Sequence, residues 1–61
     1  MHDIIEQIIL EFKLYIEVKG WTQVYAAELL DISQAHLSRV LNGKRIPSMT
    51  LLHKMEKVME G

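Results

Sequence analysis

With 61 residues, a formal net charge of −1 and no cysteine, the chain has room for one small domain and excludes disulfides and thiolate metal sites. A chain this short buries only about 60% of the surface its unfolded form exposes, and a core of that size yields about 3–5 kcal/mol of net stability. No apolar run reaches the ~18 residues of a membrane span, and no basic segment with an apolar run behind it opens the chain after Met1, His2 and Asp3, which predicts a cytoplasmic protein.

In chain order, Asp3 is an N-cap candidate, with Glu6 three residues on as in a capping box. The first helix then runs to about Lys19 and stops at Gly20, a good left-handed C-terminal residue. Ile5, Ile8, Ile9, Phe12, Tyr15 and Ile16 share one broad face at helical spacing and predict its core side. Leu10, Leu14 and Val18, spaced by four, form a narrower strip on the far side. That strip reads in two ways: as scattered surface apolar residues, which are normal, or as a subunit interface.

Trp21 is expected in the core at the junction with the second helix, and Thr22 is the next N-cap candidate. The second helix covers about Gln23 to Leu30, with Val24 or Tyr25, Ala27 and Leu30 inward and Ala26 beside them. Asp31 falls where the turn wants a residue tolerant of left-handed geometry, and Ile32 is expected as a buried plug. Ser33 caps a third helix from about Gln34 to Leu41. Leu37, Val40 and Leu41 face in. Ala35 and Arg39 are centred on the opposite face, with Gln34 and Ser38 on one flank and His36 on the other.

Asn42 and Gly43 end that helix, and Lys44 and Arg45 follow in a loop. Pro47 blocks continuation and Ser48 caps a fourth helix, whose expected buried residues are Met49, Leu52, Met55 and either Val58 or Met59. The whole chain, 1–61, therefore reads as a single all-α domain of four helices.

The charges are segregated. From Ser33 to Lys54 the bases Arg39, Lys44, Arg45 and Lys54 occur with no acid, whereas Met1 to Asp31 holds Asp3, Glu6, Glu11, Glu17, Glu28 and Asp31 against Lys13 and Lys19. A one-sided nucleic-acid binder shows this split even when its net charge is unremarkable. His2, His36 and His53 lie far apart with no zinc-like spacing, so no metal or other cofactor is expected. There is no Gly-rich phosphate loop, no HExxH and no obvious nucleophile–base pair, which predicts that the protein is not an enzyme.

A helix fits the major groove of B-DNA, where base edges carry a unique donor and acceptor pattern. The readers must be exposed at and near the N-terminal end of that helix. Gln34 can pair two-pronged with adenine and Arg39 with guanine, Ala35 can meet a thymine methyl, and Ser38 can bond several bases. Phosphate contacts would fix the register. Candidates are Gln23, Asn42, Lys44 and Arg45, the N-cap residues Thr22 and Ser33 where backbone N–H groups favour an anion, and His36 on the flank.

The run Thr22-Gln23, Ala27, Ile32-Ser33, Leu37-Ser38, Asn42-Gly43-Lys44-Arg45 and Pro47 resembles the Cro/cI-type, lambda-repressor-like helix-turn-helix family. The match is without gaps from Gly20 to Pro47, and the outer helices fit on either side. The resemblance implies a compact domain that binds pseudo-palindromic operator DNA as a homodimer and represses transcription, often in phages, prophages and plasmids. It implies Gln23 on phosphate, Gln34, Ala35, Ser38 and Arg39 toward bases, and Asn42, Lys44 and Arg45 toward the backbone. Four positions depart from the pattern: Ala26 for a usual Leu, Asp31 for a usual Gly, Leu41 for a common Glu, and Glu56 for a common small residue. The sequence also ends after the fourth helix, where the family usually has a fifth. Apolar surface on helices 1 and 4 is then expected to lie uncovered, and either helix 1 or helix 4 is a candidate for the dimer surface. Two other readings stay open: an antitoxin that represses its own operon and holds a toxin on the Leu10, Leu14, Val18 strip, and a protein-interaction module that keeps the fold without DNA.

Overall fold

Each helix of this chain is switched on by a side-chain oxygen and, in three cases, switched off by a left-handed residue. The computed structural model describes residues 3–61; His2 lies outside them. Its elements are α1 (Ile4–Lys19), α2 (Gln23–Leu30), α3 (Gln34–Leu41) and α4 (Met49–Glu60). The first N–H groups of a helix have no intrahelical partner. Here Asp3 Oδ1 accepts from the Ile5 N–H at 3.0 Å and Thr22 Oγ1 from the Tyr25 N–H at 3.1 Å. Ser33 Oγ accepts from the His36 N–H at 3.1 Å and Ser48 Oγ from the Leu51 N–H at 3.2 Å.

The other ends repeat one device. After α1 the Trp21 N–H donates to the Ile16 carbonyl at 3.0 Å, after α2 the Ile32 N–H to Ala27 at 3.0 Å, and after α3 the Lys44 N–H to Arg39 at 2.8 Å. This six-to-one closure needs a left-handed residue just before the donor. Gly20 (φ 72°), Asp31 (φ 58°) and Gly43 (φ 74°) supply it. Asp31 carries a Cβ into that region, where an L-residue is disfavoured by about 1–2 kcal/mol, less for Asp and Asn than for most.

The helices pack with α1 against α4 and α3, and with α2 against α3 and α4. Phe12 from α1, Leu30 from α2, Leu37 and Val40 from α3, and Met55 from α4 are fully enclosed at the centre. Ala26 and Ala27 of α2 are buried beside them. Ile5, Ile8, Ile9, Trp21, Ile32, Val58 and Met59 pack around the rim half-buried.

Three expectations need correction. Neither Val24 nor Tyr25 faces inward: they are 51% and 46% exposed, and it is Ala26, with no exposed surface, that joins Ala27 and Leu30 in the core. Met49 is 67% exposed, and Leu51 takes its place beside Leu52 and Met55. Steps of three residues fall about 60° short of a full turn at 100° per residue, so a stripe begun at Met49 drifts off the true core face. Trp21 and Ile32 reach the core but stay half-buried. The Trp21 indole stands edge-on between Tyr15 (5.5 Å between centroids) and Tyr25 (5.2 Å).

Candidate nucleic-acid interface

The turn that joins α2 to α3 consists of Asp31, Ile32 and Ser33. Its left-handed Asp31 redirects the chain, half-buried Ile32 anchors it to the core, and Ser33 starts α3 at once. A further tie comes from outside the pair: Lys54 Nζ of α4 donates to the Leu30 carbonyl at 3.3 Å. That carbonyl is among the last of α2, where acceptors are unpaired and a cation is favoured. In the sequence Lys54 stands out only as one of the bases of the positive half. Its partner lies 24 residues away, and the available signal was its place at the edge of α4's apolar face.

With Leu37, Val40 and Leu41 buried, α3 turns Gln34, Ala35 and Arg39 outward as exposed residues, while Ser38 and His36 are half-buried on its two flanks. Ala35 and Arg39, expected at the centre of the outward face, are both exposed, as is Gln34 of the expected flank, whereas Ser38 and His36 are less open. Ser38 is further held by Asn42, whose Nδ2 donates to Ser38 Oγ at 3.4 Å, so those two candidates form one local unit. Lys44 and Arg45 are exposed in the loop after α3, and the Lys44 N–H bond to the Arg39 carbonyl folds that loop back against the helix end.

Thr22 and Gln23 are exposed at the start of α2, and Ser33 at the start of α3. The hydroxyls of Thr22 and Ser33 accept hydrogen bonds as caps. Each keeps its own O–H hydrogen free to donate. The site therefore combines donors at two helix starts, a convex polar helix face and two loop cations. Among the described residues no polar or charged side chain is buried, and no helix is long and apolar enough to cross a membrane. The third group of candidates, Leu10, Leu14 and Val18 on α1, is also exposed, at 56%, 51% and 85%.

Two short helices fixed at a tight turn, the second presenting a polar face beside a basic loop, define a DNA-binding helix-turn-helix. A family model described as helix-turn-helix matches residues 13–60. The chain belongs to this family, of Cro/cI type, whose members are DNA-binding transcription regulators and not typically enzymes. No curated protein and no solved structure matches the chain.

Proposed function

We propose that this chain is a sequence-specific, Cro-like repressor that sets α3 in the major groove of a pseudo-palindromic operator and binds as a homodimer. The observation that carries the reading is the exposed Gln34, Ala35, Arg39 face of α3, opposite a buried face and next to an acid-free basic stretch. Gln34 and Arg39 are the side chains able to make two-pronged base contacts. Ala35 and Ser38 complete the reading face. Thr22, Gln23, Ser33, His36, Asn42, Lys44 and Arg45 hold phosphates around it.

One α3 reads too few base pairs for useful specificity. Two copies would place their reading helices about one turn, ~34 Å, apart. Selection of bound duplexes from a random pool tests this directly. The expected consensus has two inverted half-sites; an asymmetric consensus with no repeated half-site contradicts it.

Lys44→Ala or Arg45→Ala should weaken binding to all duplexes about equally. Each lost phosphate contact should also lower the log–log salt slope by about 0.9. Titrations across a salt series check this, and an unchanged slope would remove both residues from the phosphate set.

Leu14→Glu should dissociate the homodimer and leave the monomer helical. Leu14 is the middle residue of a strip the monomer core does not use, and a charge there is tolerated in water but not in a buried interface. Sedimentation of the variant checks it; an intact dimer moves the interface elsewhere. The same exposed strip favours a second reading, in which the protein is an antitoxin that represses its own operon and holds a toxin there. A chain that has kept the fold only for protein contacts would shift no duplex at low salt.

A further inference from the structure

The face of the molecule built from α2 and α4 carries an open groove of about 480 Å³, lined by Leu29, Thr50, His53, Lys54, Lys57 and Val58. Leu29, 43% exposed, and half-buried Val58 give it an apolar floor. Its titratable lining is basic throughout: Lys57, His53 and Lys54, the last fixed by its bond to the Leu30 carbonyl.

The strip on α1 has the opposite character. Leu10, Leu14 and Val18 recur every four residues, so they mark a line that climbs about 6 Å per step along the helix. Glu11 lies on one side of that line, and Glu6 and Glu17 lie on the other; Gln7 and Glu11 are joined by a bond from Nε2 to Oε2 at 3.4 Å. Lys13 is the one base on that side of α1, which leaves the strip acidic in sum.

We propose that the α1 strip of one copy seats in the α2–α4 groove of a second copy. This rests on the self-association proposed above and names its two surfaces; it does not depend on DNA. Pairing two α1 strips with each other would set glutamates against glutamates, and like charges across an interface disfavour a partner. Setting the strip in the groove places its acids against Lys57 and His53 and removes Leu10, Leu14 and Leu29 from water together. When the contact is made twice, residue i of each copy meets residue j of the other, the arrangement that closes a dimer about a two-fold axis.

Charge reversal tests it. A strip variant, Glu11→Lys with Glu17→Lys, makes both surfaces basic; a groove variant, His53→Glu with Lys57→Glu, makes both acidic. These residues lie outside the proposed DNA face. At low salt each variant alone should self-associate at least about tenfold more weakly than the parent chain, through lost complementarity. An equimolar mixture should associate at or near the parental level, because each basic surface then meets an acidic one. Sedimentation reads the association and far-UV circular dichroism reads the fold. Should a double variant lose helix, the single variants Glu11→Lys and Lys57→Glu form the second pair for the same mixing test.

A groove variant that dimerises like the parent, or a mixture no stronger than its components, overturns the strip-in-groove contact and leaves the homodimer standing. A parent chain that stays monomeric at every concentration overturns both, and leaves the two faces to an unlike partner.

Discussion

Phe12→Ala is expected to leave the isolated chain largely unfolded at room temperature. Phe12 has no exposed surface and lies at the centre of the cluster that also encloses Leu30, Leu37, Val40 and Met55. Replacing a buried phenylalanine by alanine costs about 3–5 kcal/mol, part lost transfer energy and part cavity. A core of this size supplies only about 3–5 kcal/mol altogether, so the change removes most or all of the margin. No disulfide is available to offset the loss, since the chain has no cysteine. Circular dichroism on dilute protein without DNA checks this, because dimerisation or operator binding would raise the apparent stability by mass action. A parental melting curve would mean that helix pairing, not the Phe12 cluster, holds the fold.

Gln34→Ala and Arg39→Ala are expected to have the largest effect on function, each costing about 1–3 kcal/mol on the preferred site and little on random DNA. Both side chains are exposed on α3 and neither contributes to the core, so truncation should spare the fold. Gln34 opens the first turn of α3, the end that approaches base edges most closely in this docking mode. Arg39 stands in the last turn, where its length gives it reach and its charge complements the helix end. A uniform loss from both variants would look like lost phosphate contacts, and the two mechanisms separate on the ratio of specific to random affinity.

The helix boundaries were legible because the chain marks them chemically. Asp3, Thr22, Ser33 and Ser48 announce the starts, and Gly20, Asp31 and Gly43 the ends, each with a backbone reason to be there. The cores of α1 and α3 were equally legible, since Phe12 and Ile16, and Leu37, Val40 and Leu41, sit on faces set off by polar residues. Phase was harder to read where apolar residues outnumber the positions that can be buried. In α2 only Glu28 and Gln23 are polar, so Val24 and Tyr25 competed on paper with Ala26 for the core. In the fold Ala26 has no exposed surface, while Val24 and Tyr25 stay about half exposed. In α4, Met49 continued a plausible stripe that the real face does not follow.

The groove between α2 and α4 was out of reach because it exists only once those helices meet. The Lys54 bond to the Leu30 carbonyl is the same kind of feature. For the candidate site, the outward set Gln34, Ala35 and Arg39 followed from the inward set, because a short amphipathic helix with one face fixed has only one other face to offer.

Base reading by the outward face of α3 is tested by binding of the parent, Gln34→Ala and Arg39→Ala to the selected operator half-site and to every single-base variant of it. The parent should discriminate at each position. Each alanine variant should lose discrimination at one or two particular positions while the remaining positions keep their pattern. A drop by the same factor on every duplex, with the parental preference intact at all positions, would contradict it.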